Sequence, residues 1–283
     1  MPSSDAGFGP CSLERSAPVP EICVALLTPF TASGEVAMDA VAVHTEFLLA
    51  HGITAVMPCG TTGEGVLLDP AEIVSLVATV TRVANGRARV LAHVGRASTR
   101  ETIALARRVV EVGVAAVSAV EPYYYKYSDA EIRDHYRALL QAVPVPVYAY
   151  TIPDRTGNSL SSAVVRELAA DGLRGVKDST KSIDRHREFL GCGVDVLMGS
   201  DALVQEAFRL GAAGAVSAIA NIEPRLLLDL ASSFALPSGD GLQARLVAVR
   251  DRTKRGPSAI AAMKRELAEL LPGYPIQMRA PLS

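Results

Sequence analysis

Lys177 closes the run Leu173-Arg174-Gly175-Val176-Lys177-Asp178-Ser179, which reads as a short buried strand with the lysine at its C-terminal tip. The chain has five lysines, and the other four (Lys126, Lys181, Lys254 and Lys264) stand in strongly polar or helical-surface contexts. A lysine on a buried strand end loses hydration, which disfavours its ammonium form. A neutral amine is a nucleophile that condenses with a ketone to a Schiff base. The competing reading of the residue alone is a strand-end lysine reaching out to solvent.

Other stretches could serve such a reaction. In Gly60-Thr61-Thr62-Gly63-Glu64-Gly65, two glycines flank two hydroxyls. Exposed N–H groups and the Thr61 and Thr62 hydroxyls can hold a carboxylate, although a tight polar turn reads the same way. Tyr123, Tyr124 and Tyr125 after Pro122 are too many tyrosines for simple core filling. The Tyr150 phenol could relay protons, or could end its strand with the hydroxyl in water. Arg155 could clamp a carboxylate or phosphate, or be a solvated charge paired with Asp154. In Gly199-Ser200-Asp201, Asp201 reads first as a helix N-cap, with contact to a polar substrate as the alternative. The run Gly214-Ala215-Val216-Ser217 offers small residues and backbone carbonyls. The five histidines form no metal set; His93 could line a pocket, and a structural role is expected for all of them. Catalysis by Lys177 requires neither metal nor cofactor.

These residues need elements to hold them. From residue 22, short apolar β-branched runs alternate with longer amphipathic ones. Strands are expected at 23–27, 54–58, 89–94, 115–120, 145–150, 173–177, 194–198 and 214–219, mostly apolar on successive positions, as in a parallel sheet covered on both faces. Helices are expected at 39–50, 70–84, 100–112, 129–142, 161–170, 183–190 and 202–210, with Asp69-Pro70, Ser98-Thr99 and Ser128 as start signals. This alternation predicts an α/β fold, a (β/α)8 TIM barrel with a C-terminal helical extension, whose chemistry sits at the C-terminal strand ends. A doubly wound sheet competes, but the first strand leads into Thr28-Pro29-Phe30 and not into a glycine-rich turn. The division expected is a flexible extension over 1–20, a barrel over 21–222, and the last barrel helix with further helices over 223–283.

At 283 residues the chain is long enough for a sizeable core. A formal net charge of -2, with no basic block among aromatics, gives no reason to expect nucleic acid or an anionic membrane. No apolar run approaches the roughly 20 residues of a span. Cys11, Cys23, Cys59 and Cys192 show no paired spacing, which suits a reduced, cytoplasmic protein. The first twenty residues lack the apolar core of a signal peptide.

Taken together, Gly60-Thr61-Thr62-Gly63-Glu64, Pro122-Tyr123-Tyr124, Tyr150-x-x-Pro153-x-Arg155-Thr156-Gly157 and Gly175-Val176-Lys177-Asp178 resemble the dihydrodipicolinate synthase and N-acetylneuraminate lyase family of class I, pyruvate-handling aldolases. The resemblance runs from about Ile22 to the C-terminus. It implies that Lys177 forms the imine with a 2-oxo acid, that Tyr150 relays protons, and that Thr61 and Thr62 hold the pyruvyl carboxylate. Thr61 would link Tyr150 to Tyr124 of a neighbouring subunit, and Val216 would supply a carbonyl. It implies a homotetramer, a dimer of dimers, acting on a small 2-oxo acid plus an aldehyde. Arg155 in its loop resembles synthases that condense pyruvate with aspartate semialdehyde. Thr151 replaces their usual asparagine, and the stretches 177–183 and Gly199-Ser200-Asp201 resemble 2-keto-3-deoxygluconate aldolases more closely. Cleavage of a 2-keto-3-deoxy sugar acid is therefore the first expectation and the synthase reaction the alternative. A non-catalytic barrel binding 2-oxo acids is the reading from another class.

Overall fold

The computed structural model describes residues 19–283, so the extension read at the N-terminus, with Cys11, lies almost wholly outside the described residues. Eight parallel strands pair in chain order and close on themselves: β1 (Glu21–Ala25), β2 (Ala55–Met57), β3 (Arg89–His93), β4 (Ala116–Val120), β5 (Val147–Thr151), β6 (Gly175–Asp178), β7 (Asp195–Met198) and β8 (Gly214–Ser217). The helices are α1 (Met38–Ala50), α2 (Pro70–Ala84), α3 (Thr99–Val110), α4 (Asp129–Ala142), α5 (Pro153–Thr156), α6 (Ser162–Ala170), α7 (Ile183–Leu190), α8 (Val204–Arg209), α9 (Pro224–Ser233), α10 (Pro237–Thr253) and α11 (Ala259–Leu270). The fold is the expected (β/α)8 barrel with a C-terminal helical extension.

The period of two along each strand sorts the side chains. Val147, Ala149, Val176 and Val196 face the helices, while Cys23, Met57, Leu91, Tyr148, Leu197 and Val216 fill the barrel interior. Tyr150 and Lys177 share the inward parity of Tyr148 and Leu197, and the register aligns Tyr150 with Lys177 and Lys177 with Leu197. Gly175 makes this possible: a Cβ there would stand 2.5 Å from the Tyr148 ring, which fills the space one layer below Lys177.

Local chemistry sets the helix starts. Asp69 N donates to Glu72 Oε2 at 2.9 Å, and Ser128 N to Glu131 Oε2 at 2.8 Å, each the return half of a capping box. One expected boundary shifts for a visible reason. Leu173 N donates to Leu168 O just beyond the end of α6, so Leu173 caps that helix and β6 begins at Gly175. α10 starts at Pro237, where proline suits the first turn. α5 is a single turn, too short for periodicity to reveal. α10 packs against α8 and α9, and α11 against α10. No helix among the described residues is long and apolar enough to cross a membrane.

Candidate active site

Lys177 is 4% exposed, with Nζ 3.8 Å from the centroid of the Tyr150 ring and 3.6 Å from Met57 Sδ. The Tyr150 hydroxyl lies 3.2 Å from Thr61 Oγ1, where either group can donate. Beneath the amine the interior is apolar. Burial pushes the Cys23 thiol up to about 12, so it stays protonated and is no rival nucleophile. His93 stands behind Tyr150, with ring centroids 5.9 Å apart and planes at 85°. Its Nε2 accepts from Val120 N–H at 3.2 Å. Burial first, then the nearby Lys177 and Arg96 charges, pushes its imidazole down to about 3, so it is neutral beside the amine. It does not line the cavity, as the sequence had allowed.

A cavity of about 490 Å³ opens above Lys177. Thr61, Thr62, Tyr150, Arg155, Lys177, Ser200 and Val216 all line it. Gly60 does not: it is buried under the loop, where its carbonyl accepts from Gly65 N at 3.1 Å. Tyr124 also lies off the lining; it is 85% exposed, with φ +85°. Within one chain, therefore, Tyr124 does not reach Thr61.

The loop carrying Thr61 and Thr62 is tightly determined. Cys59 and Glu64 adopt left-handed φ of 62° and 55°. A Cβ on Gly65 would fall 1.7 Å from Cys59 O, so only glycine fits there. Thr28 Oγ1 donates to Gly63 O at 2.7 Å, and Arg96 donates to Gly65 O at 3.1 Å and Leu68 O at 2.5 Å. The glycines thus serve loop packing, and the two threonines face the cavity.

Three readings of single residues change. Lys264 is not a surface lysine; it is fully buried, with Nζ 2.7 Å from Glu64 Oε1. Asp201 is not an N-cap: α8 starts at Val204 after Leu203. Its carboxylate accepts from Ser217 Oγ at 2.5 Å on the cavity wall, and burial raises its pKa against that bond. Asp154 pairs with Lys181 and not with Arg155, whose guanidinium makes no hydrogen bond among the described residues.

The sequence also hid residues that shape the site. Asn158 Nδ2 donates to Pro122 O at 2.9 Å and Tyr125 O at 2.8 Å, while its Oδ1 accepts from Tyr127 N at 3.0 Å. It stitches the tyrosine loop to the Arg155 loop; an amide just after Thr156-Gly157 was the available signal. Arg250, Thr253 and Lys254 of α10, with Ala259 and Met263 of α11, wall the cavity, so the extra helices belong to the site. Nothing local in the sequence places them there.

A closed parallel barrel with a buried lysine at the sixth strand tip, its nitrogen against a tyrosine held by a threonine hydroxyl, defines a class I aldolase, a carbon–carbon lyase. The chain belongs to the dihydrodipicolinate synthetase family, whose family model matches residues 19–254. It is 38% identical over 244 residues to an uncharacterised DapA-like lyase of Halobacterium salinarum, covering 82% of this chain and 78% of that one. It is 39% identical over 207 residues to the 4-hydroxy-tetrahydrodipicolinate synthase of Sorangium cellulosum, covering 71% and 69%. The crystal structure of dihydrodipicolinate synthase from Aquifex aeolicus superposes with a TM-score of 0.88 at 28% identity, over 93% of this chain and 92% of that one. These likenesses favour the synthase alternative over the sugar-acid cleavage that was the first expectation.

Proposed function

We propose that this enzyme condenses pyruvate with an aldehyde that carries an anionic group, and that the reaction is 4-hydroxy-tetrahydrodipicolinate synthesis from pyruvate and aspartate semialdehyde. The observation that carries the proposal is the Lys177 amine over the face of the Tyr150 ring, whose hydroxyl bonds to Thr61, in a cavity that also presents Arg155. A bare guanidinium at the mouth suits a carboxylate, which it binds bidentately. The relatives named 4-hydroxy-tetrahydrodipicolinate synthase support the same choice.

The steps follow from the residues. The Lys177 amine adds to the pyruvate keto carbon, and loss of water leaves an iminium. The Thr61 and Thr62 loop holds the pyruvyl carboxylate. The iminium withdraws electrons, so a methyl proton passes into the Thr61–Tyr150 relay and an enamine forms. The enamine carbon attacks the aldehyde carbon, making the new carbon–carbon bond, and the aldehyde oxygen takes a proton from Tyr150. Thr61 re-protonates Tyr150, and the amino group of the semialdehyde then attacks the imine carbon, closing the ring as the new carbon–nitrogen bond forms and the bond to Lys177 breaks, which frees the amine. The Val216 carbonyl and the Ser200 hydroxyl orient the substrate from the opposite wall. Tyr124 extends the hydroxyl relay by reaching Thr61 of a second copy, in a homo-oligomer assembled at least as a dimer.

The test is borohydride reduction with pyruvate, followed by turnover assays. A mass increase on Lys177, with turnover of aspartate semialdehyde well above that of glyceraldehyde, is the expected result. Turnover of glyceraldehyde alone would restore the sugar-acid reading, and absence of any adduct would leave a non-catalytic 2-oxo-acid-binding barrel.

A further inference from the structure

The geometry points to an extended oxyanion site on the cavity wall, in which Lys181, Arg250 and Lys254 act together with Arg155 to receive the anionic group of the aldehyde substrate, a carboxylate or a phosphate. This rests on the Schiff-base reading above and names the class of the second substrate.

The three cations come from two separate parts of the fold, the loop after β6 and the C-terminal end of α10, yet line the same cavity as Lys177. With Arg155 they make four basic side chains around it besides Lys177, against two carboxylates, Asp154 and Asp201. The group is partly offset: Lys181 and Arg250 each have a carboxylate partner, and Lys254 has none among the described residues. Asp201 is engaged by the Ser217 hydroxyl, and burial disfavours its charged form. Asp154 is taken by Lys181 alone. Arg250 pairs with Asp251 at 2.6 Å, and Lys254 makes no ion pair among the described residues.

The crowding leaves its mark on Lys254. Burial first, then Arg250 and Lys181, lowers its pKa, with Asp251 and Asp201 opposing. Like charges brought together in a partly desolvated wall are unfavourable until an anion sits among them. Lys181 also holds a left-handed φ of 61°, a conformation costly for a residue with a side chain and kept where surrounding structure imposes it. A cavity of about 490 Å³ has room for more than pyruvate, within the usual range for whole small molecules. A neutral aldehyde would leave this wall unmatched.

The experiment compares wild type with the Arg250→Gln/Lys254→Gln double variant on three aldehydes: aspartate semialdehyde, glyceraldehyde 3-phosphate and glyceraldehyde. Lys254 is exposed and Arg250 half-buried at the end of α10. In wild type the anionic aldehydes are expected to be preferred over glyceraldehyde. In the variant that preference is expected to fall roughly ten- to a hundredfold, the size of losing charge-assisted hydrogen bonds. A larger loss with the phosphate identifies a phosphate site, and a larger loss with the semialdehyde identifies a carboxylate site. An unchanged preference overturns the proposal. Binding of inorganic phosphate is measured by calorimetry in parallel, with roughly tenfold weakening expected in the variant and equal binding counting against the site. The borohydride adduct on Lys177 is scored separately. Its absence refutes the Schiff-base reading, while the phosphate titration still decides whether the anion site exists.

Discussion

Lys264 and Glu64 form an ion pair of 2.7 Å with both side chains at 0% exposure, joining α11 to the loop that presents Thr61 and Thr62. The pair is well compensated. Lys264 also donates to Gln277 O at 2.7 Å, and the second Glu64 oxygen accepts from Arg279 N–H at 2.9 Å. Arg279 reaches Glu72 at 2.6 Å, and the Phe30 ring faces Lys264 at 4.6 Å and Arg279 at 4.7 Å. Breaking such a buried pair strands a charge, which costs more than removing both partners.

Lys264→Met is accordingly expected to destabilise the fold by about 3–5 kcal/mol in denaturant unfolding, and Lys264→Met/Glu64→Gln by less. Because Glu64 shares its loop with Thr61 and Thr62, the double variant is expected to show a raised KM for pyruvate. An equal or greater loss in the double variant would show that the pair is not the anchor.

Lys177→Ala is expected to abolish turnover and the borohydride adduct while the circular dichroism spectrum and Tm stay near wild type. Tyr150→Phe keeps the ring over the amine and removes the hydroxyl bonded to Thr61. Its kcat is expected to drop roughly 10²–10⁴-fold, the usual worth of a positioned proton donor, with the adduct still forming. Wild-type turnover in either variant would remove that residue from the mechanism.

Glu121 supplies a pH dependence of stability. Its carboxyl is fully buried at the end of β4, near the Thr151 hydroxyl and the Ile152 and Leu160 amides, yet completes no hydrogen bond of good geometry with them. Burial raises its pKa from 4.5 to about 7. The folded state therefore holds a proton that the unfolded chain releases. That contribution is present below about pH 4.5 and is lost as pH rises through about 7, a difference of roughly 3 kcal/mol. Glu121→Gln is expected to lose less stability than wild type between about pH 4.5 and about pH 8 by roughly that amount. Parallel curves of unfolding free energy against pH would refute this.

Tyr124 and Tyr125 are 85% and 67% exposed and pack edge to face, with centroids 5.0 Å apart. If a second copy covers them, sedimentation is expected to show at least a dimer. Dilution below its dissociation constant, or Tyr124→Ala, is then expected to lower kcat. A fully active monomer would exclude a relay across subunits.

The barrel was legible because strands buried on both faces are apolar at successive positions, and because Asp69-Pro70, Ser98 and Ser128 mark helix starts by local hydrogen bonding. That Lys177, Tyr150 and Arg155 line one cavity was legible because a barrel gathers the C-terminal strand ends at one mouth. What escaped notice depended on distant partners. Lys264 looked like a surface lysine because Glu64 stands 200 positions away. Asp201 looked like a cap because Ser217, its hydrogen-bond donor, comes from the next strand. Arg250 and Lys254 lay on a helix whose docking over the barrel mouth no local pattern encodes.

The apolar packing of Met57, Cys23, Leu91, Tyr148 and Leu197 beneath the amine has a kinetic corollary. It plugs the barrel, so traffic to Lys177 comes through the upper doorway. On the proposed reaction, the aldehyde would enter and the finished product leave by that same route. An aldehyde in place would then keep water from severing the imine early. Reaction order would be written into the shape of the vestibule: the oxo acid goes in first, and the acceptor seals it until ring closure releases the amine.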